Sequence, residues 1–283
     1  MDLRYLHPRI RKAYLYFKGN YDSLQLNLGV KRLFSRLLPK PEYKWLLGFD
    51  NKIIYPVYKF LNEYLSLRII YHYGADYRWG DIKSQNIDLE NVNLGYGYTH
   101  FSFIRNQKPK RILCIGSMYG FIPYMMAKAC MENGQGHIDF VDAGYDIGSK
   151  KDKKKHYYGQ GFWKKINPNL HFSYLLSPNF IKTFVMTSSQ FAKKNKYKYD
   201  YIYLDGDHSY KGALRDFKLF WPRLKNDGYF CLHDIHFKRI EEGLPFEHWK
   251  LWNQLVKKLP YKFELSNNYS GLGFIQKKGD EKI

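Results

Sequence analysis

The sequence lacks any long apolar run, although 45% of its 283 residues are hydrophobic. A membrane-spanning helix needs about 20 consecutive apolar residues. Lys, Arg, Asn or Glu interrupts every candidate stretch, including residues 53–73. Residues 1–4 also lack the apolar stretch that a secretory signal would have. We therefore expect a cytoplasmic protein.

Cysteine and acidic residues are both scarce. The three cysteines, Cys114, Cys130 and Cys231, show no metal-ligand spacing, which fits a reducing compartment. There are 46 Lys and Arg residues but only 26 Asp and Glu residues, so the formal net charge is +20. Such an excess suits nucleic acid, an anionic membrane surface or an acidic substrate. A biased coding composition is an alternative explanation, because Lys, Tyr, Phe, Ile and Asn are all abundant.

The basic excess is concentrated in two segments. Residues 1–44 carry a net charge of +7 and residues 150–165 carry +6, which leaves +7 for the other residues. We predict that residues 1–94 form a basic, mainly helical N-terminal extension. This extension could lie on the anionic inner face of a membrane, or it could cap the catalytic domain with its apolar side.

Short apolar runs alternate with helical patterns from about residue 108 onwards. The predicted strands are residues 111–116, 137–142, 184–187, 199–205, 228–234, 261–265 and 271–276, and the main predicted helices are residues 121–131, 210–224 and 247–258. This order predicts an α/β fold, Rossmann-like and doubly wound, with a mostly parallel seven-stranded sheet and an antiparallel pair at its C-terminal edge. Ligands of such sheets bind at the carboxyl ends of the strands. We assign this domain to residues 95–283.

A glycine-rich turn, GSMYG at residues 116–120, joins the first predicted strand to the first helix. Glycines there allow close approach of a ligand, and the helix N-terminus offers unpaired N–H groups. Asp142 ends the next strand, where a carboxylate can accept hydrogen bonds from ribose hydroxyls. This combination resembles the class I S-adenosylmethionine (SAM) methyltransferases, with Cys114 where that family usually has an acidic residue. The resemblance implies SAM as the cofactor, bound by Gly116, Ser117, Gly120 and Asp142.

Two serines follow the third predicted strand. Ser188 and Ser189 stand where the resemblance implies contacts with the adenine ring, and we assign Ser188 to the cofactor site. Serines that begin a helix can equally serve as helix caps.

Two aspartates end the fourth and fifth predicted strands. Asp205 opens the motif DGDHSY at residues 205–210, and Asp234 follows His233. Adjacent parallel strands lie about 4.8 Å apart, so both carboxylates can reach one ion. Oxygen ligands suit Mg²⁺, and His208 is placed to act as a general base beside it. Asp205 also belongs to the predicted cofactor set. The alternative is that Asp207 and Ser209 cap a helix and that His208 is a surface residue.

This second constellation resembles the bacterial O-methyltransferase branch that includes macrocin-type sugar O-methyltransferases and cephalosporin-hydroxylase-like proteins. The resemblance extends from about residue 95 to residue 277. It implies that Asp205 and Asp234 coordinate Mg²⁺ and that His208 removes a proton from the hydroxyl of a sugar or glycan precursor. Ile235 cannot coordinate a metal, so His233 or water would complete the ligand set.

An aromatic insert spans residues 143–177, beside the expected cofactor site. It contains a lysine-rich run at residues 150–155, followed by Tyr158, Phe162 and Trp163. These rings could stack on an acceptor as a lid, and the lysines would attract an anionic acceptor. The alternative is a solvated loop with a small satellite core.

Two other functions remain as alternatives. An RNA methyltransferase would suit the charge, but the sequence has no Asn/Asp-Pro-Pro-Tyr/Phe motif and no Lys-Asp-Lys-Glu-like set, so nucleic acid is a disfavoured partner. A SAM-fold binding protein without turnover would have no need of Asp205, His208 and Asp234. A homo-oligomer is compatible with the sequence.

Overall fold

A seven-stranded sheet forms the centre of the structure, which is a computed structural model. It describes residues 84–86, 95–118, 120–145, 161–165, 172, 179–238, 240–241, 244–266 and 269–279. All of them belong to one compact unit, residues 83–86 and 95–283. The predicted N-terminal extension lies outside the described residues apart from 84–86, and so do Tyr158 and the lysine-rich run at residues 150–155.

The elements follow one another as alternating strands and helices. Within the described residues the strands are β1 (Arg111–Ile115), β2 (His137–Asp142), β3 (Ile181–Val185), β4 (Tyr199–Leu204), β5 (Leu224–His233), β6 (Ile240–Glu241), β7 (Leu244–Pro245), β8 (Lys262–Leu265) and β9 (Leu272–Gln276). The helices there are α1 (Tyr96–Gln107), α2 (Phe121–Asn133), α3 (Phe162–Lys165), α4 (Ser188–Lys194), α5 (Tyr210–Phe220) and α6 (His248–Lys258). No helix in the described part of the chain has the length and apolar character to cross a membrane.

The strands of the main sheet lie in the order β3-β2-β1-β4-β5-β9-β8. The first five are parallel, and β9 runs antiparallel to both β5 and β8. The predicted fold class, including the antiparallel C-terminal pair, is therefore confirmed. The order reverses at β1, so the carboxyl ends of β1 and β4 border the crevice where ligands of open parallel sheets bind.

Helices cover both faces of the sheet, which explains why its central strands are apolar on both sides. On one face Phe191, Phe217 and Leu251, from α4, α5 and α6, pack into a buried cluster with the strands. On the other face α1 packs against α2, and Phe103 contacts Tyr201 and Phe274.

Two strands differ from the sequence prediction by more than one residue. β3 begins and ends earlier than predicted, because Thr187 caps α4 instead of ending the strand. β5 begins at Leu224, four residues before its predicted start. Asp227 there adopts a left-handed φ of 63°, and its N–H donates to the carbonyl of Lys277 at 2.8 Å. The turn-like Asn226-Asp227-Gly228 sequence thus forms an irregular start to a strand, with a shift in register against β4.

His100 on α1 is fully buried against β4. The Tyr201 hydroxyl lies 2.9 Å from its Nδ1, and the Tyr203 ring meets it edge-on at a centroid distance of 4.8 Å. Nε2 of His100 is buried without a hydrogen-bond partner. Burial, with a further contribution from the charge of His233, lowers the pKa of His100 to about 3. The imidazole is therefore neutral in the folded state.

We expect His100 to destabilise the protein in mild acid. Its folded pKa lies below the value of about 6.5 in the unfolded chain, so the unfolded state takes up the proton first and stability is lost as pH falls from 6.5. Between pH 7.5 and 5.5 the unfolding free energy should fall by about 1.4 kcal/mol more in the wild type than in His100→Phe. Urea unfolding at both pH values measures this difference, and equal losses in the two proteins would contradict it.

Candidate active site

The glycine-rich turn after β1 is held against the backbone of the loop after β4. Gly116 has a φ of 72°, and a Cβ atom on it would lie 2.2 Å from the carbonyl oxygen of Asp205. Its N–H donates to the carbonyl of Val141 at 2.9 Å, which ties the turn to β2 as well. Gly120 is the N-cap of α2 and has no side-chain cap. The turn therefore has the close backbone approach and the uncapped helix start that anionic or nucleotide-like ligands require.

Asp142 lies at the carboxyl end of β2, directly beside this turn. Its side chain is buried, and Oδ1 accepts a hydrogen bond from the N–H of Gly144 at 2.8 Å. Ile115 of β1 pairs with Val141 of β2, so the predicted cofactor residues Gly116, Ser117, Gly120 and Asp142 all lie at the ends of two adjacent parallel strands.

Ser188 has a different local role from a helix cap. The N-cap of α4 is Thr187, whose hydroxyl accepts from the N–H of Gln190 in a capping box. The Ser188 hydroxyl donates instead to Oδ1 of buried Asp216 on α5, at 2.6 Å. Ser188 therefore joins α4 to α5 at the carboxyl side of β3, and a cap by Ser188 or Ser189 is not what the structure contains.

The predicted carboxylates and histidine do come together. Asp205 follows β4 and Asp234 follows β5, two strands that pair directly. Nε2 of His208 lies 3.3 Å from Oδ1 of Asp205 and 3.3 Å from Oδ2 of Asp234. One ligand atom from each of these three residues lies within 4.8 Å of the other two. This cluster offers two carboxylates and an imidazole to a single bound ion or substrate.

His233 supplies the counter-charge to the carboxylates. Its Nδ1 lies 3.0 Å from Oδ1 of Asp205, and its Nε2 lies 3.0 Å from the carbonyl oxygen of Ser84. Neither acceptor carries a proton, so both nitrogens donate and the ring is an imidazolium. Burial opposes the charge, but the two carboxylates outweigh it and raise the pKa of His233 well above its usual value. With both nitrogens engaged, His233 is not placed to act as the additional metal ligand considered from the sequence.

The same contacts keep the two carboxyl groups ionised. Burial alone would raise the pKa of Asp205, but the charge of His233 and hydrogen bonds from both histidines lower it to about 2. The pKa of Asp234 is lowered in the same way. Burial would lower the pKa of His208, but its hydrogen bonds to Asp205 and Asp234 raise it to about 9. Without another cation, the cluster therefore holds protonated histidines at neutral pH.

Asp234 has two features that fit a cation. It adopts a left-handed φ of 58°, a conformation that is unfavourable for most residues other than glycine. Its Oδ1 is buried and accepts no hydrogen bond, although Nδ1 of His233 lies 3.4 Å away. A buried carboxylate oxygen without a hydrogen bond is costly unless a ligand satisfies it. The donor set therefore fits a divalent cation.

His248 on α6 contacts the backbone of the two loops that carry the site. It was not identified from the sequence. Its Nδ1 lies 2.9 Å from the carbonyl oxygen of His233, and its Nε2 lies 3.2 Å from that of Asp207. Burial, followed by the charge of His208, lowers the pKa of His248 to about 4, so the neutral ring donates to one of these carbonyls at a time. It thereby links the loops after β4 and β5. No local motif around residue 248 indicates this role.

Trp163 of the predicted lid lies inside the protein. It is 1% exposed, its Nε1 donates to the carbonyl of Met118 at 2.8 Å, and its ring contacts Phe140 and Phe172. Phe162 is also buried. These positions favour the satellite core over a lid that stacks on the acceptor, because Trp163 packs under the glycine-rich turn.

The chain is similar to known methyltransferases. Residues 113–235 match the family model described as a methyltransferase domain. A candidate O-methyltransferase structure from Klebsiella pneumoniae is 12% identical, with 77% of this chain and 96% of that chain covered and a TM-score of 0.50. The O-methyltransferase TomG from Streptomyces achromogenes, in complex with SAM, is 10% identical with coverages of 76% and 95% and a TM-score of 0.49. No curated protein matches the sequence significantly.

We expect Gly116→Ala to lower the free energy of unfolding by more than the cost of a left-handed backbone conformation alone. The matched control is Gly134→Ala, because Gly134 has a similar φ of 66° with no atom near its Cβ position. Both variants should lose about 1 kcal/mol from the left-handed conformation. Only Gly116→Ala must also push the Asp205 backbone away, so we expect a total loss of more than about 3 kcal/mol. Urea unfolding compares the two, and equal losses would contradict the close contact.

Proposed function

We propose that the protein transfers a methyl group from SAM to a hydroxyl oxygen, in line with the match of residues 113–235 to the family model of a methyltransferase domain. We propose further that the acceptor is a sugar or glycan precursor, that His208 is the general base and that a divalent cation assists. The observation that carries this proposal is the convergence of Asp205, His208 and Asp234 beside the glycine-rich turn.

The close approach of the glycine-rich turn to the loop after β4 supports methyl transfer. Gly116 and Asp205 approach so closely that no side chain fits between them. A cofactor held by the turn after β1 would therefore lie next to the groups that follow β4. Methyl transfer from a sulfonium is an in-line displacement, so reactivity depends mainly on aligning the acceptor oxygen and removing its proton.

In this proposal His208 removes that proton. Its Nε2 would accept the hydroxyl proton while an oxygen electron pair forms the new bond to the methyl carbon. The bond between that carbon and sulfur breaks, and its electrons remain on the sulfur of S-adenosylhomocysteine. Once Nε2 carries the accepted proton, its contacts with Asp205 and Asp234 would stabilise the imidazolium.

The carboxylates of Asp205 and Asp234 would hold the cation. Oxygen donors suit Mg²⁺, and the nearby imidazole makes Mn²⁺ equally compatible. A divalent cation bound there would stabilise negative charge on the acceptor oxygen. It would also offset the negative charge of Asp205 and Asp234 and thereby favour the neutral form of His208.

Aromatic side chains adjoin the imidazole of His208. Phe246 lies against the imidazole at a centroid distance of 4.5 Å, and Phe237 meets Phe246 at 4.7 Å and Tyr269 at 4.8 Å. Aromatic faces are suitable surfaces for the apolar side of a sugar ring. Phe246 is half-buried whereas Phe237 is buried, so Phe246 is the ring that supports a ring-shaped acceptor, in agreement with the resemblance to sugar O-methyltransferases.

We expect His208→Gln to reduce turnover by about 10² to 10⁴ while SAM affinity stays within about threefold of the wild type. The reason is that glutamine cannot take the acceptor proton, whereas the predicted cofactor residues Gly116, Ser117, Gly120 and Asp142 lie at the ends of β1 and β2. Radiolabelled SAM with a panel of glycosides and glycan precursors measures turnover, and calorimetry measures SAM binding. His137→Gln, at the opposite end of β2, should leave both unchanged.

Three results would contradict parts of this proposal. Unaltered turnover in His208→Gln would exclude His208 as the base. Absence of SAM binding at high micromolar concentration would exclude the cofactor. Methylation of RNA at about 150 mM salt, with no glycan methylated, would favour the nucleic-acid alternative.

Removal of divalent cations should reduce turnover at least about tenfold. The reason is that Asp205 and Asp234 would then stabilise the protonated, inactive form of His208. Dialysis against EDTA, followed by Mg²⁺ or Mn²⁺, should abolish and restore activity in the wild type. Asp234→Asn should lose activity without restoration by the same ions. Full turnover in EDTA would show that Asp205 and Asp234 act without a metal.

A further inference from the structure

Strand β8 presents an exposed apolar edge. It is the last strand of the main sheet in the described residues and pairs with β9 alone. The large apolar side chains that are exposed in this part of the chain include Tyr261, Phe263 and Leu265, at 54%, 45% and 38%. Long exposed edges promote association with further strands, so proteins usually shield them.

The side chains of this strand alternate between two chemical types. Tyr261, Phe263 and Leu265 share one face, whereas Lys262 and Glu264 share the other. The strand is anchored on both faces. Phe263 stacks on buried Phe274 at 4.6 Å, and Trp252 of α6 donates from Nε1 to Glu264 at 2.9 Å. The edge is therefore a preformed surface.

The backbone hydrogen bonds determine which groups face outwards. The N–H of Gln276 donates to the carbonyl of Tyr261 at 2.8 Å, and Phe263 is opposite Phe274 in the same register. Residues 261, 263 and 265 thus direct their backbone groups towards β9. By alternation, the N–H and C=O groups of Lys262 and Glu264 point away from the sheet.

We propose that two copies of this chain associate through β8, antiparallel and centred on Phe263. A two-fold axis at Phe263 would place Lys262 of each copy opposite Glu264 of the other. Their outward N–H and C=O groups would then exchange four hydrogen bonds, as a hydrogen-bonded pair on each side of the axis. The two sheets would become continuous across the axis.

The side chains are self-complementary in this register alone. Directly opposed residues of an antiparallel pair lie on the same face about 5 Å apart. Lys262 would therefore meet Glu264 twice on one face. On the other face Phe263 would meet Phe263, and Tyr261 would meet Leu265. A shift by one residue would move each apolar side chain opposite a charge.

Charge reversal provides the test, because the pairing is symmetric. Lys262→Glu alone would place a second carboxylate opposite Glu264, and Glu264→Lys alone would place two lysines together. The double variant restores opposite charges with the order exchanged. Lys258→Glu makes the same change in net charge outside β8, on the exposed helix end that Lys262 contacts.

Sedimentation velocity of the full chain at about 1 to 100 µM gives the dissociation constant. The wild type should approach twice its chain mass of 34.0 kDa as concentration rises. Each single reversal should raise the dissociation constant at least about tenfold, and the double variant should return to within about threefold of the wild type. Lys258→Glu should match the wild type.

The proposal is overturned if the wild type stays monomeric throughout this range, or if the single variants associate as tightly as the wild type. It is also overturned if the double variant remains dissociated while its circular dichroism shows a folded protein. Lys262 also donates to carbonyls at the end of α6, at Val256 and Leu259, so circular dichroism accompanies every variant. None of these outcomes depends on the proposed methyl transfer.

Discussion

Two largely buried carboxylates next to each other are the constraint around which this site is built. Asp205 and Asp234 end neighbouring strands, and placing two negative charges in one poorly hydrated cleft is strongly unfavourable without compensation. Most contacts in the cluster provide that compensation. His233 donates to Asp205 and lies within ion-pair distance of Asp234, Nε2 of His208 contacts both carboxylates, and the Tyr203 hydroxyl donates to Oδ2 of Asp205. The surrounding loops hold these donors in place.

The sheet makes this arrangement geometrically possible. A parallel pair such as β4 and β5 brings both strand ends to one edge, whereas the reversal of order at β1 places the glycine-rich turn beside them. The absence of a side chain at Gly116 then allows that turn and Asp205 to touch through their backbones. The predicted cofactor residues and the proposed acid–base residues, which are separated by some 90 positions in the sequence, thus share one crevice.

Much of this site could be predicted because its residues follow strands. Each apolar run indicates a strand, and the carboxyl ends of parallel strands meet at one edge of the sheet. The sequence alone therefore predicts that Asp142, Asp205 and Asp234 lie at that edge. His248 could not be found in this way, because it belongs to a helix and acts through backbone carbonyls. The burial of Trp163 could not be predicted for a related reason. The aromatic residues around Trp163 are compatible with a solvent-facing lid and with a buried core. Only the exposed fraction of the side chain distinguishes the two.

The carbonyl group of Ser84 shows that the site includes residues upstream of the segment that matches the methyltransferase model. It accepts hydrogen bonds from Nε2 of His233 and, at 2.5 Å, from the hydroxyl of Ser270. Ser84 lies 29 positions before the segment that is similar to the methyltransferase family, residues 113–235. A fragment cut where that similarity begins would leave the imidazolium of His233 without one of its two acceptors. The site therefore extends beyond residues 113–235, the segment that matches the family model. Any shortened version of the protein would have to retain the upstream residues around Ser84.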